Sequence, residues 1–168
     1  MLTPKPTSEP HDISVQIPPS GTRGAFFPRF PGWLAHRLNR MLANRYRRKG
    51  GTTIRGVQGV ILETIGAKSG MPRQAVVGHV ADGPDAWLII ASAGGAAHHP
   101  HWFFNLAKNP EATLEFGDGR RVAVRAETPV GADLDAAWET IGTVAPIYVG
   151  YRTKTDRDIP VIRLRAVD

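Results

Sequence analysis

Short stretches of alternating apolar and polar residues, separated by turn signals, make up most of the chain after residue 53. In Val122-Ala123-Val124-Arg125, for example, every second side chain falls on the same face of an extended strand. Asp82-Gly83-Pro84 and Gly117-Asp118-Gly119 are typical turn sequences between such stretches. The pattern predicts six strands, at residues 54–65, 74–81, 85–92, 112–116, 120–127 and 159–167.

Two helices are predicted among these strands, at residues 100–108 and at about 133–144. The second carries an apolar stripe with the i, i+3, i+4, i+7 spacing of a helix face, formed by Leu134, Ala137, Trp138 and Ile141. Short strands with only two interposed helices favour a small closed barrel over a doubly wound parallel sheet. We therefore expect a mostly β domain of the α+β class over residues 51–168.

The N-terminal part of the chain has a different character. Residues 1–30 are rich in proline and polar residues and predict a flexible arm. Residues 31–50 predict an amphipathic helix with arginines opposite an apolar face that consists of Leu34, Leu38, Met41 and Leu42. Two interpretations of this helix stay open: it packs on the barrel with a solvated cationic side, or it lies on an anionic membrane surface.

The formal charge of +6 belongs to this N-terminal part alone. Nine cations and no acid lie between Ile13 and Leu62, whereas the rest of the chain holds 12 cations and 15 acids. A surface that grips nucleic acid is more often basic throughout, so we expect no nucleic-acid partner.

The absence of certain residues and segments from the sequence narrows the function further. The chain has no cysteine, which excludes disulfides and thiolate metal ligands. No apolar run approaches the roughly 20 residues of a membrane span, and the N-terminus lacks the apolar core of a signal peptide. We expect a cytoplasmic protein, peripheral on the inner face of the plasma membrane if the basic helix binds lipid.

The stretch from Ser92 to Pro110 contains the most informative chemistry. Gly94-Gly95 follows an apolar strand and lets the backbone turn sharply and approach a ligand closely. Pro100 then opens a helix that carries aromatic residues and one amide, Asn105, which needs a hydrogen-bond partner if it is buried. This combination suits a flat, anionic ligand.

A second candidate segment, residues 66–73, places Lys68, Ser69 and Arg73 on a glycine-bounded turn. Its spacing does not match a phosphate-binding P-loop, because Ala67 separates the lysine from the preceding glycine, and the chain has no dinucleotide-binding G-x-G-x-x-G after a strand. The turn either presents its cations to an anionic ligand or is an ordinary solvated hairpin turn.

The histidines at 98, 99 and 101 do not predict a metal site, since neighbouring side chains point in different directions and Pro100 divides the group. Tyr148 and Tyr151 lie about one helical turn apart. They are either two half-buried tyrosines or phenol donors that converge on a substrate oxygen and steady its developing negative charge.

These motifs occur in a distinctive order over residues 61–160: G-x-K-S-G-x-P-R, A-S-x-G-G, P-x-W-x-x-N-L-x-x-N-P, Y-x-x-Y and T-D-R-x-I-P. In this order they resemble the deazaflavin-dependent nitroreductase family of actinobacteria. The resemblance implies a split β-barrel of the FMN-binding-like type. It also implies that the cofactor is coenzyme F-420. This 8-hydroxy-5-deazaflavin carries a phosphate and an oligoglutamate tail and donates a hydride.

The resemblance also implies roles for single residues. Lys68 and Arg73 would meet the phosphate and acidic tail, and the other implied cofactor-binding residues are Ser69, Ser92, Ala93, Gly94, Gly95, Pro100, Trp102 and Asn105. Ala93 stands where the family's best-known nitroreductase has a lysine, and Ala145 stands where it has a third tyrosine.

The expected function is an oxidoreductase that transfers a hydride from the reduced coenzyme to an electron-poor acceptor, namely a quinone, an enone or a nitro compound. The implied catalytic residues are Ser92, Tyr148 and Tyr151, which would orient or polarise the acceptor oxygen. The alternative is a protein that binds deazaflavin or a flavin-like ligand without turnover.

Overall fold

The computed structural model describes residues 15–167, so residues 1–14 of the predicted arm lie outside the described part of the chain. The elements in chain order are α1 (Gly32–Lys49), β1 (Thr53–Ile54), β2 (Val57–Ile65), β3 (Pro72–Ala81), β4 (Ala86–Ile90), α2 (His101–Lys108), β5 (Glu111–Glu115), β6 (Arg121–Glu127), α3 (Ala132–Val144), α4 (Pro146–Tyr151) and β7 (Val161–Ala166). None of the helices within residues 15–167 is long and apolar enough to cross a bilayer.

Six of the strands form a closed antiparallel barrel in the order β2-β3-β4-β7-β6-β5. The pairing of β5 with β2, which sets Leu114 opposite Leu62, closes the barrel. Strand β1 adds two residues to the outer end of β2. The expected mostly β barrel is therefore confirmed, and each of its six strands overlaps a predicted one.

The barrel interior is filled by fully buried aliphatic side chains, among them Val60, Leu62, Ile89, Leu114, Ile162 and Leu164. Phe103 and Leu106 of α2 belong to the same cluster. Burying each such side chain contributes about 1.5–3 kcal/mol. The helix that follows the glycine pair is thereby fixed to the barrel.

Helix α1 leaves half of its predicted apolar face exposed, since Leu34 and Leu38 are half-buried but Met41 and Leu42 are exposed. The buried residues are Ala43 and Tyr46, while the side chains of Met41 and Leu42 are 56% and 46% exposed. The Tyr46 hydroxyl donates to the carbonyl of Gly59 at 2.9 Å. Arg47, on the same side, donates to both carboxylate oxygens of Glu115, at 2.5 and 2.8 Å. These polar contacts set the helix rotation.

The structure also contains a third interposed helix, α4, which the prediction of two did not include. The backbone at Ala145, with φ −141° and ψ 65°, ends α3 and separates it from α4. Pro146 occupies the first position of α4, where its fixed φ and missing N–H suit a helix start. Tyr148 and Tyr151 lie on this helix, and both are buried.

Candidate active site

The loop of residues 92–96 follows strand β4 and turns sharply. Three consecutive residues have positive φ, with 44° at Ala93, 64° at Gly94 and 84° at Gly95. The Gly95 N–H donates to the Ser92 carbonyl at 2.8 Å. A left-handed backbone is unfavourable for alanine and persists only where the surroundings impose it.

Arg157 stabilises this loop conformation through hydrogen bonds to the loop carbonyls. Its buried guanidinium donates to the carbonyls of Ala91 at 3.1 Å, Ser92 at 2.9 Å and Ala96 at 2.8 Å. A further N–H, on Nη1, meets the Nδ1 of His99 at 3.0 Å. The planar fork of an arginine suits such a set of convergent acceptors. Arg157 therefore holds both ends of the loop.

His99 is part of this support. Because Nδ1 accepts from Arg157, the ring proton lies on Nε2, which donates to the Pro18 carbonyl at 2.8 Å. Burial lowers the pKa of His99, which favours this neutral form. Within residues 15–167, no cluster of three or more His, Cys, Asp and Glu side chains could hold a metal ion.

Residues 21–25 lie along the same loop. The N–H groups of Gly21 and Ala25 donate to Ala97 and Gly95, both at 2.8 Å. The Asp156 carboxylate accepts from the Thr22 and Arg23 N–H groups at 2.9 and 3.0 Å. Hydrogen bonds from Thr22 and this backbone lower the pKa of Asp156 to about 2. This section of the predicted arm is thus attached to the barrel.

The turn between β2 and β3 carries the predicted cations and is held by helix α2. The side-chain oxygen of Asn105 accepts from the Ala67 N–H at 2.9 Å, and its amide nitrogen donates to the Thr64 hydroxyl at 3.0 Å. Lys108 donates to the Ala67 carbonyl at 2.8 Å. These contacts supply the partners that a half-buried Asn105 requires.

The cations of this turn are available to a ligand. Lys68 and Ser69 are exposed, and Arg73 is half-buried. In the described part of the chain, no carboxylate lies within 4.0 Å of the charged nitrogens of Lys68 or Arg73. The Arg73 guanidinium donates to the Pro72 carbonyl at 3.2 Å. The turn therefore offers charge-assisted donors without a competing anion.

Tyr148 and Tyr151 meet edge to face, with ring centroids 6.0 Å apart. The Tyr148 hydroxyl lies against Gly78 of strand β3, where an added Cβ would be only 2.6 Å from the phenol oxygen. Burial raises the pKa of Tyr148, so the phenol keeps its proton at neutral pH. Both residues are fully buried and not half-buried. Their role as phenol donors to a substrate oxygen stays a prediction.

Arg55 connects Tyr151 to the glycine loop, a contact that sequence reasoning missed. It sits in the turn between β1 and β2 with φ 51°, and its guanidinium donates to the Tyr151 hydroxyl. An added Cβ on Gly94 would lie 3.4 Å from Arg55 Nη2. The sequence shows Arg55 only as one of nine N-terminal cations, with Gly56 after it as the sole sign of a turn.

The structure thus joins the predicted residues into two groups. Lys68, Ser69 and Arg73 share a turn with Asn105 beneath it, whereas the loop of residues 92–96 is linked to Tyr151 through Arg55. Helix α2 runs from one group to the other, since Pro100 caps its start after the loop and Asn105 lies on its last turn. Trp102 is half-buried and packs against the barrel core.

Comparison with known proteins assigns this arrangement to a family. The family model for F420H(2)-dependent quinone reductases matches residues 38–165. An F420H(2)-dependent quinone reductase of Mycobacterium tuberculosis is 36% identical over 107 residues, which are 62% of this chain and 71% of that protein.

Solved structures agree with this match. The structure of an F420-H2 dependent reductase, FDR-A, is 33% identical, with a TM-score of 0.58 over 64% of this chain and 93% of its own. A second structure, described as a domain-swapped dimer, is 30% identical, with a TM-score of 0.60 over 79% of this chain and 97% of its own. The family resemblance and the split-barrel fold predicted from the motifs are confirmed, and the chain belongs to the F420H(2)-dependent quinone reductase family.

Proposed function

We propose that this enzyme transfers a hydride from reduced coenzyme F-420 to a quinone bound beside Tyr148 and Tyr151. The match of the family model to residues 38–165 carries the proposal, because that range contains the cationic turn, the glycine loop and both tyrosines. Coenzyme F-420 as cofactor and oxidoreduction as reaction class follow from membership in the family. The quinone and the residue roles are the proposed part.

The residues present fit this cofactor. Lys68 and Arg73 lack carboxylate partners among the described residues, and such donors suit a phosphate and an acidic tail. The loop of residues 92–96 has no side chains at Gly94 and Gly95, and its backbone is approached there by Phe27 and Arg55 at Gly94 and by Lys154 at Gly95. Asn105 and Arg157 hold the turn and the loop. When bound, the reduced coenzyme supplies the hydride.

The acceptor side needs proton donors and a shielded position. Tyr148 is buried and protonated, and Tyr151 presents its oxygen to Arg55. Ser92, also buried, lies at the start of the glycine loop. These side chains would orient the acceptor carbonyl and stabilise charge that develops on its oxygen, without a protein nucleophile or metal.

An acceptor panel tests this function. Purified protein, with reduced coenzyme, is mixed anaerobically with a naphthoquinone, an enone and a nitroaromatic, and the absorbance of the oxidised coenzyme is followed. We expect the naphthoquinone to give the highest kcat/KM, at least about tenfold above the others. Tight coenzyme binding without enzyme-dependent reoxidation by any acceptor would instead establish the non-catalytic alternative, which family membership does not favour.

Contact with an anionic membrane surface is a second part of the proposal. Its support is the outer surface of the N-terminal segment, where Phe26 is 92% and Trp33 is 66% exposed. Three exposed arginines of α1 line one surface groove with Trp33, at Arg37, Arg40 and Arg48, and Arg45 is exposed as well. Exposed aromatic residues next to arginines suit the headgroup region of a bilayer, where a lipophilic quinone is reached.

Vesicle co-sedimentation tests the membrane contact. Replacing Arg37, Arg40 and Arg48 with glutamate should reduce binding to anionic vesicles at least about tenfold, because each cation near such a surface contributes about 1 kcal/mol. The matched control replaces three exposed arginines outside α1, which are Arg120, Arg125 and Arg152. Equal pelleting of the wild-type protein with neutral and anionic vesicles would remove this part of the proposal.

A further inference from the structure

We propose that Arg55 is the anion-recognising residue of the acceptor site, where it positions the Tyr151 phenol and stabilises the negatively charged oxygen of the reduced quinone. The inference rests on the proposed function and assigns a specific residue to its acceptor side. It is carried by the backbone, the contacts and the charge surroundings of Arg55.

The backbone of Arg55 is held in an unfavourable conformation. Its φ of 51° lies in the left-handed region, which is uncommon for a residue with a long side chain. Such a conformation is strained and persists where the surroundings fix it, frequently at functional sites. In this turn the conformation accompanies a guanidinium directed at Tyr151 and Gly94.

The contacts of Arg55 tie together the two parts of the site that must meet an acceptor. The guanidinium carbon lies 5.0 Å from the centre of the Tyr151 ring, and a guanidinium N–H donates to the Tyr151 oxygen. Because that oxygen accepts from Arg55, the Tyr151 O–H is left to donate to another group. Gly94, at the middle of the glycine loop, lies beside the same guanidinium.

Two cations lie around the Tyr151 ring. The ammonium of Lys154 lies 5.4 Å from the ring centre and forms a second cation contact. Among residues 15–167, neither Arg55 nor Lys154 has a carboxylate within 4.0 Å of its charged nitrogens. Two cations around one phenol without a carboxylate partner form a place where an anion is stabilised.

The reaction generates an anion of the required kind. A quinone that gains a hydride, meaning two electrons and one proton, becomes a hydroquinone monoanion with one charged oxygen. One further proton completes the hydroquinone, and the Tyr151 O–H can deliver it. Tyr151 then regains a proton from solvent, and solvent receives the proton that the reduced coenzyme releases. A cation placed before the charge appears stabilises the oxygen without reorganising solvent.

Binding of two quinones to the coenzyme-free protein tests the role of Arg55 apart from turnover. The probes are 2-hydroxy-1,4-naphthoquinone, an anion at neutral pH, and the neutral 2-methyl-1,4-naphthoquinone, with affinity measured by calorimetry. Arg55→Gln should weaken binding of the anion about tenfold, the typical loss for one charge-assisted hydrogen bond, and binding of the neutral probe less than about twofold. Arg55→Lys should give an intermediate loss.

Two further variants make the result decisive. Arg55→Asn tolerates the left-handed backbone and should reproduce the loss even if glutamine disturbs the turn. Arg120→Gln, which removes a guanidinium stacked on Phe116, should leave both affinities unchanged. Equal losses for both probes, or no loss in Arg55→Gln and Arg55→Asn, would overturn the inference. If the coenzyme-free protein binds neither probe, the same comparison is made with oxidised coenzyme bound, and the same outcomes decide.

The proposed function fails separately. Suppose that the wild-type protein reoxidises the reduced coenzyme with naphthoquinone but the Arg55 variants keep the probe selectivity of wild type. This outcome contradicts only the role of Arg55. Probe selectivity that depends on Arg55, without wild-type turnover, supports the anion site and contradicts the reductase reaction.

Discussion

Replacing Arg157 with methionine should lower the free energy of unfolding by about 3 kcal/mol, because it leaves several buried hydrogen-bond acceptors unpaired. Those acceptors are the carbonyls of Ala91, Ser92 and Ala96 and the Nδ1 of His99. Methionine fills a similar volume, so the loss reports the hydrogen bonds more than a cavity. Urea denaturation followed by tryptophan fluorescence measures it.

The same change should weaken coenzyme binding by at least about a hundredfold, because the loop of residues 92–96 loses the group that holds its left-handed backbone. Arg152→Met is the matched control, since Arg152 is exposed and its guanidinium stacks on Trp138 of α3. That control should stay within about 0.5 kcal/mol of wild type. An Arg157→Met protein with wild-type stability and coenzyme affinity would show that the loop does not depend on Arg157.

Removing both cations of the β2–β3 turn should weaken coenzyme F-420 binding about a hundredfold. Each charge-assisted bond to the phosphate or the acidic tail contributes about 1.5–3 kcal/mol, and within residues 15–167 neither cation has a carboxylate partner. The Lys68→Ala, Arg73→Ala double variant should also lose most of the salt dependence of wild-type binding. Quenching of deazaflavin fluorescence measures both effects.

A truncated ligand supplies the control for this double variant. A deazaflavin riboside without phosphate and tail should bind wild type and double variant with the same affinity. Alanine at two other exposed arginines, Arg120 in the turn before β6 and Arg125 of β6, should not change binding of the full coenzyme. If the double variant weakened binding of the riboside as much as that of the full coenzyme, Lys68 and Arg73 would act through the turn structure instead of through the tail.

The strands and helix α2 could be predicted because their signals are local. Alternation in residues 120–127 and the glycine turn before them indicate β6 at once, and Asn105 between apolar neighbours indicates a side chain with a defined partner. Both signals arise from residues close in the sequence. The motifs quoted from residues 61–160 then identify the family.

Arg55 and Arg157 could not be found in the same way, since their partners are distant in sequence. Arg55 contacts Tyr151, 96 residues away, and Arg157 contacts Ser92, 65 residues away. An arginine in a turn is normally a solvated surface residue, and only the folded barrel brings these acceptors together. The rotation of α1 about its axis could not be predicted either, because Tyr46 and Arg47 fix it through hydrogen bonds to the barrel.

The proposed reaction of this chain is hydride transfer from reduced coenzyme F-420 to a quinone. The most direct measurement is anaerobic stopped-flow reoxidation, by 2-methyl-1,4-naphthoquinone, of reduced coenzyme F-420, reduced flavin mononucleotide or NADPH at equal concentrations. We predict enzyme-dependent reoxidation with coenzyme F-420 at least about a hundredfold faster than with either other donor. Equal rates with reduced flavin or NADPH, or no acceleration with any donor, would contradict this reaction.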